Sequence, residues 1–504
     1  MGINIVWFKR DLRIADHEAL AEASRLGPVL PLYIFEPELW KEPDMSRRHL
    51  AFLKDCLCEL NKSLQATGQK LIIKKGNAID VLEKLHQHLD IQALWSHQET
   101  WNGWTYERDK MVKQWCHDRN IPWHEPCQNG VIRRLSGRDG WASKWYGRMK
   151  KPIIAPPESL KSIEEHSESL PDADELGMET DAFTELQKGG RKKALKLLHN
   201  FLHERGEGYT QEMSSPVTAF QSCSRLSTHL AFGTISIREV SHACEHRLQE
   251  IKQMRPGMKG KWPSALRSFS SRLRWHCHFI QKLEDESRIE FENMHPAYDG
   301  LREHDFNEAL FEAWKAGKTG YPMVDACMRA LRSTGWLNFR MRAMVMSFAS
   351  YHLWLHWRRP ALHLAKLFTD YEPGIHYAQV QMQSGTTGIN TIRIYNPVKQ
   401  GIDHDPRGSF IRRWVTELRG MDHAFIHTPW LAKSQMGNYP MPVIDEKDGR
   451  KAAASKLYSL RKNNKTHLAS SQKIVNKHGS RKSSRRRNVN RHTKNISQQE
   501  ELPL

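Results

Sequence analysis

Apolar and polar positions in the first 124 residues alternate between two periods. Ile3–Phe8 is a short, almost wholly apolar run, the pattern of a strand covered on both faces. Asp16 then reads as the cap of a helix whose Ala19, Leu20, Ala23 and Leu26 recur at three- and four-residue steps. Val29–Phe35 is the next strand, and Leu50, Phe52, Leu53, Leu57, Leu60 and Leu64 form the next helical face. Lys70–Ile73, Ala78–Leu89, Ile91–Ser96, Arg108–His117 and Ile121–His124 continue the alternation. Five strands interleaved with helices predict an α/β, doubly wound parallel sheet over residues 1–130. No G-x-G-x-x-G follows the first strand, so the dinucleotide fingerprint is missing there.

Residues 131–190, with Pro156-Pro157 and the acidic run Glu164–Asp181, read as a connection. From Arg191 the pattern is helical: Ala194, Leu195, Leu198, Phe201 and Leu202 form one face that stops at Gly206 and Gly208. Ser264–Leu283, Phe306–Ala316, Met323–Thr334, Asn338–Trp357 and Pro360–Phe368 keep that habit. Residues 191–435 are therefore expected to form a larger, all-α domain, and 436–504 a flexible basic tail.

Composition sharpens this picture. With 504 residues, 39% of them hydrophobic, the chain is long enough for two to four cores and is not wholly disordered. Its net charge is +19, and residues 451–504 hold fourteen Lys/Arg against only Glu500 and Glu501. Such a balance favours acidic partners, nucleic acid first. None of the eight cysteines forms a C-x-x-C pair, so no metal site is expected. The early charges at the N-terminus and the lack of an 18-residue apolar run predict no leader and no membrane span, hence a cytoplasmic protein, nucleoid-associated if bacterial.

Three polar clusters interrupt the helical pattern. Ser222-Cys223-Ser224-Arg225-Leu226-Ser227 stands before Thr228–Phe232, where hydroxyls and free N–H groups at a helix start suit either a phosphate or plain serine capping. Asn338-Phe339-Arg340-Met341-Arg342 is followed by Asp370-Tyr371-Glu372, a basic pair and an acidic pair. They could form salt bridges or hold a polar heterocycle that needs donors and acceptors. Gln379–Pro397 reads as a Gly- and Thr-rich loop of the kind that carries binding residues. Trp275, Trp314, Trp336, Trp354 and Trp357 crowd into the same domain, where core packing accounts for them.

Taken in order, Val6-Trp7-Phe8-Lys9-Arg10-Asp11-Leu12-Arg13, Ser224-Arg225-Leu226-Ser227, Gly320-Tyr321-Pro322-Met323-Val324-Asp325-Ala326, Gly335-Trp336, Arg393-Ile394-Tyr395-Asn396-Pro397 and Phe410-Ile411-Arg412-Arg413-Trp414 resemble the photolyase/cryptochrome family. The resemblance runs from residue 3 to about residue 435. It implies an α/β antenna domain, with a second chromophore as an option, and a helical domain that binds FAD and DNA. It also implies light-driven repair of pyrimidine dimers by reduced FAD. Tyr209, Ser224, Arg225, Leu226 and Ser227 would then contact the ribityl and phosphate groups. Arg342 would pair with Asp370 beside the isoalloxazine, next to Tyr371, and Glu372 would accept from its pyrimidine edge or the adjacent ribityl. Trp275 would stack on a flipped-out lesion, and Arg272, Phe339, Arg340 and Gln400 would lie along the DNA strand.

The chain also departs from the family pattern. Arg272 stands where repair enzymes commonly have glutamate, His376 where asparagine often faces the flavin, and Phe339 where another asparagine faces the lesion. His276, His278 and His376 are proton-donor candidates, which adds the (6-4) photoproduct to the favoured cyclobutane dimer as a substrate. Val380 and His304 interrupt the family's tryptophan chain and leave Trp357, with Tyr351, Trp354 and Tyr377 near it in sequence. Trp275, His276, His376 and Trp357 are thus the expected catalytic group. The expected protein is a deoxyribodipyrimidine photolyase, a monomeric carbon–carbon lyase acting on damaged DNA. A cryptochrome-like blue-light photoreceptor without repair is the alternative, and an FAD-bearing nucleic-acid-binding protein the third reading.

Overall fold

Alternate residues of the first two strands enter two different cores, which is why these strands are apolar throughout. The computed structural model describes residues 2–462 and 465–479. Strands β1 (Ile3–Phe8), β2 (Val29–Phe35), β3 (Ile72–Lys75), β4 (Ile91–Trp95) and β5 (Trp123–His124) pair in parallel in the order β3-β2-β1-β4-β5. Val6, Phe8 and Phe35 pack with α1 (Glu18–Leu26) and α2 (Arg47–Gln65). Ile5, Trp7 and Leu32 pack on the other face with α3 (Ala78–His86) and α4 (Gly103–Asp118). The doubly wound sheet predicted from the alternation is present.

Local capping differs from the prediction. Asp16 does not cap α1: the Nδ1 of His17 accepts from Leu20 N at 3.0 Å. Asp16 instead takes a left-handed backbone (φ 50°) and turns its carboxylate to Ser236 and Arg238 of the helical domain. Helix α4 begins at Gly103 rather than Arg108, because the Asn102 side chain accepts from Thr105 N at 3.1 Å.

Residues 151–190 contain no helix or strand, yet they are not a free tether. Their acids pair along the first domain, Glu165 with Lys74 at 2.6 Å, Asp172 with Lys54, and Asp181 with the fully buried Arg48. Within the predicted connection, α5 (Trp141–Met149) buries Trp141 and Trp145 among residues of the helical domain. That domain is built on α6 (Arg191–Asn200), α7 (Ile237–Gln253), α8 (Trp262–Asp285), α9 (Pro322–Thr334), α10 (Phe339–Ser347), α11 (Arg358–Leu367) and α12 (Pro373–Ser384).

Two further expectations need correction. Gln379–Ser384 is not loop but the last turns of α12, started by Pro373 and ended by Gly385 at φ 75°. The segment 436–478 is not a flexible tail: α13 (Glu446–Lys462) buries Ala453 and Leu457 against Tyr298 and Tyr351. Helix α14 (Lys465–His478) buries Ile474 against Leu283, Ile289 and Met294. The densest basic run, Arg481–Arg487, lies outside the described residues.

The two domains are locked by the loop after β1. Arg13 donates to Gly233 O at 2.9 Å, and Leu12 N to Phe232 O at 3.2 Å. Gly233 is required there, since a Cβ would lie 2.1 Å from Arg10 O and its φ is +66°.

Candidate functional site

The loop between two short helices, Ala219–Ser222 and Ser227–Ala231, sets Arg225 in a left-handed conformation (φ 61°). An L-residue there is strained, and such strain concentrates where a side chain must be aimed. The Arg225 guanidinium is sandwiched between Phe220 at 4.0 Å and Trp336 at 4.1 Å. Its Nε and Nη1 are buried with no partner among the described residues, and burial pushes its pKa down to about 10 despite the pull of Asp370. Arg205, Arg225, Arg272 and Arg342 all lie close enough to Cys223 to act on its thiol electrostatically. Arg205 holds the loop by donating to the carbonyls of Gln221, Cys223 and Ser224.

The hydroxyl motif works differently from the expectation. Ser227 makes no capping bond, and Ser224 Oγ accepts weakly from Leu226 N at 3.4 Å. The helix that follows has five residues, too few for a useful dipole. The positive charge comes from arginines, and Leu226 is a buried core residue between them.

Across from Arg225, α10 and the loop before α12 supply the acidic half. Arg342 donates to Asp370 Oδ2 at 2.7 Å and to Leu337 O at 2.8 Å, and lies 3.9 Å over the Phe368 ring. Asp370 Oδ1, Asn338 Oδ1 and Glu372 Oε1 are buried oxygens without a partner among the described residues. Asn338 is itself fixed by donating to Met213 O and Ser214 O. Unpaired buried donors on one side and unpaired buried acceptors on the other match a ligand with a diphosphate and a polar heterocycle, as FAD has.

Glu372 faces a narrow cavity of about 40 Å³ between the domains, with Arg10, Trp101, Gln128 and His276. That is room for one or two waters. Burial pushes the Glu372 carboxyl up to about 8, against the opposing pull of Arg10. Arg10 itself is held over Trp101 at 3.5 Å and Phe232 at 5.0 Å. Tyr371 does not join this cavity: it is buried and donates to Asp44 of the first domain at 2.7 Å.

The histidines are neutral. Burial lowers His276 and His376 to about 4 and holds His278 well below its usual value, the last helped by Lys282 and Arg138. His376 Nε2 is 2.9 Å from Ala361 O. A carbonyl only accepts, so the proton sits on Nε2 and Nδ1 is a lone pair, an acceptor where a proton donor was expected.

Trp275 is half-buried on α8, stacked on Phe279 at 5.6 Å and edge-on to His278 at 5.1 Å. Arg272 stands one turn earlier on the same helix. It bonds the Tyr209 phenol and faces Cys223, on the cofactor side. Phe339 is exposed, whereas Arg340 Nε, Gln379 Oε1 and Gln400 Oε1 are buried and unpaired. Trp357 is fully buried, donates to Asn293 at 2.7 Å, and meets Tyr377 at 6.3 Å. Trp354 touches Arg302 and Lys456 instead, each at 4.4 Å. Sequence reasoning missed Arg10, Arg205, Phe220 and Asp44. For Arg10 the signal was present, in the same run as Asp11 and Arg13.

Asp11, His17 and His97, all buried, come together beyond the ends of β1 and β4. They do not suit a metal. His17 Nδ1 accepts from Leu20 N, so its proton is on Nε2, 3.0 Å from Asp11. His97 Nδ1 is 2.7 Å from the same carboxylate oxygen. The crevice at the topological switch point is filled by this network.

Residues 4–134 match the family described as DNA photolyase, and residues 269–459 the family described as the FAD binding domain of DNA photolyase. A deoxyribodipyrimidine photo-lyase from Streptomyces griseus is 28% identical over 468 residues, covering 89% of this chain and 98% of that protein. Cryptochrome-2 of Arabidopsis thaliana is 29% identical over 498 residues, 91% of this chain and 79% of that one. The crystal structure of a bacterial class III photolyase from Agrobacterium tumefaciens superposes with a TM-score of 0.80 at 26% identity, covering 92% of this chain and 98% of that one. With both family models matched in order along the chain and the fold shared over nine-tenths of its length, the chain belongs to the photolyase/cryptochrome family.

Proposed function

We propose that this protein is a DNA photolyase that splits cyclobutane pyrimidine dimers. The observation that carries the reading is the paired half-sites, partnerless Arg225 nitrogens opposite partnerless Asp370 and Glu372 oxygens, with the half-buried Trp275 platform on α8. Bound there, reduced FAD would supply the light-excited electron that opens the cyclobutane ring.

The chain's own residues then have separable tasks. Arg225, held flat between two aromatic rings, meets phosphate charge with little ordering cost, and Arg342 and Asp370 offer a donor and an acceptor at fixed spacing. Glu372, protonated at neutral pH, offers one acceptor oxygen and one O–H donor, and His376 Nδ1 accepts a hydrogen bond. Trp275 offers a π-face to a flipped base, while Arg340 and Gln400 supply strand contacts. A second pigment would belong to the N-terminal domain. No described helix is long and apolar enough to cross a membrane, and we place the protein in the cytoplasm as a monomer on damaged DNA.

Neutral His276, His278 and His376 favour the cyclobutane dimer over the (6-4) photoproduct, whose expected repair calls for a proton donor. Chemically reduced protein is illuminated with oligonucleotides carrying each lesion, against dark controls. Light-dependent loss of the cyclobutane dimer alone supports the proposal. Loss of the (6-4) lesion alone reassigns the substrate, and loss of neither leaves a photoreceptor without repair.

A further inference from the structure

Helix α6 continues into a π-helical turn, Phe201–Arg205, and beside it lies α7. Each carries two histidines four residues apart, His199 and His203 on the first, His242 and His246 on the second. All four line one open groove of about 570 Å³ floored by Leu198 and Leu202. This groove lies outside the cofactor site and shares no residue with it.

The rings are prepared for a ligand in three ways. In the π turn, whose bonds span one residue more than in an α-helix, His203 stacks on His199 with centroids 4.5 Å apart and planes at 29°. Both rings are exposed, and among the described residues neither has a hydrogen-bond partner. His242 Nε2 lies 2.7 Å from Met149 O, so the carbonyl fixes its proton on Nε2 and leaves Nδ1 as a lone pair. A carbonyl that orients a histidine in this way is the usual outer support of a metal ligand. His246 is held through Nδ1, 3.2 Å from Glu250.

We propose that this groove binds a divalent first-row transition-metal ion, chelated by His199 and His203 and closed across the groove by the histidines of α7. Two imidazoles four residues apart on a helical face are a known chelating arrangement for such ions. Imidazole selects copper, nickel and zinc over magnesium or calcium, and the nearby carboxylate of Glu250 is already paired with Arg247 at 2.7 Å. A bound ion would brace α6 against α7, and its binding would raise the melting temperature by mass action.

The test uses the full chain stripped with chelator, titrated with Ni²⁺ by calorimetry and melted with and without the metal. Wild type should bind one more equivalent than His199→Ala/His203→Ala and than His242→Ala/His246→Ala. Both double variants should weaken that binding at least tenfold and lose the nickel-induced rise in melting temperature. Flavin content should stay at the wild-type level throughout. His117→Ala, on the exposed end of α4, should behave as wild type, and Mg²⁺ should give no heat. Unchanged stoichiometry and an unchanged melting shift in either double variant overturn the bridged site. So does an effect confined to the α6 pair, because the ion would then be held by one helix alone.

Discussion

Replacing Asp370 by Ala is the most direct perturbation of the cofactor site. Its carboxylate is 2.7 Å from the Arg342 guanidinium, with the two side chains 4% and 28% exposed. At that distance, with an effective dielectric of about 20, the attraction is roughly 6 kcal/mol before desolvation is subtracted. Breaking a buried pair costs about 3–5 kcal/mol, mostly because the surviving charge is stranded. Arg342 retains Leu337 O and the Phe368 ring, and it is partly wetted, so a loss of about 2–3 kcal/mol is the better expectation. For a chain of this size that amounts to a drop of roughly 2–3 °C in melting temperature, scaled from about 2–4 °C per kcal/mol in smaller domains. The same substitution removes an acceptor from the FAD site, so the purified protein should carry less flavin. Asp370→Asn, which keeps the shape and removes the charge, should fall between the two. The measurements are thermal melting and flavin absorbance per chain. An Asp370→Ala protein with the melting temperature and flavin content of wild type would refute the assignment.

Three further outcomes follow from the same geometry. Glu372 has a folded-state pKa of about 8, above its unfolded value, so the folded state holds the extra proton and stability falls as pH rises from the unfolded carboxylate range through 8. Glu372→Gln should remove that fall, and a variant whose melting temperature follows wild type across pH 5–9 would show that Glu372 does not titrate there. Photoreduction with an external thiol should slow in Trp357→Phe and Tyr377→Phe, whose rings lie 6.3 Å apart, and stay unchanged in Trp354→Phe, which sits against Arg302, Lys456 and the Tyr298–Tyr351 cluster; equal bleaching rates in all three would exclude this route. Ending the chain after His478 removes seven Lys/Arg and keeps α13 and α14, so the slope of log K against log salt should fall by at most about 6, equally for damaged and intact DNA. A loss limited to damaged DNA would place that segment at the lesion.

The α/β domain was readable because both faces of β1 and β2 are covered, which leaves continuous apolar runs flanked by helical periods. The C-terminal helices were not. Ala453, Leu457 and Leu460 stand four and three residues apart, a helical face, but lysines and arginines around them mask the period, and in Lys465–His478 only Leu468, Ala469, Ile474 and Val475 are apolar, too few to mark a face. Gln379–Ser384 was misread for a related reason. Its polar side chains look like loop, yet Gln381 is fully buried, with its amide bonded to Ile289 O and Glu292 O. Burial of a satisfied polar side chain leaves no trace in hydropathy.

The charges most visible in the sequence are not those that define the site. Residues 451–504 carry most of the net positive charge, but in water and salt each such cation contributes little beyond a general pull on phosphate. Arg205, Arg225, Arg272 and Arg342 are four residues scattered over 138 positions and raise no local charge density. Folding brings them around one loop, takes them largely out of water, and sets Asp370 against Arg342 and Arg225. In that low-dielectric setting their surplus positive charge is costly until an anion meets it, which gives the loop a reason to bind a diphosphate that its serines alone do not supply. The motif Ser224–Ser227 therefore points to the same loop that we propose as the phosphate site, but its arginine rather than its serines supplies the charge. Arg225, in a strained conformation between Phe220 and Trp336, presents the unpaired donors.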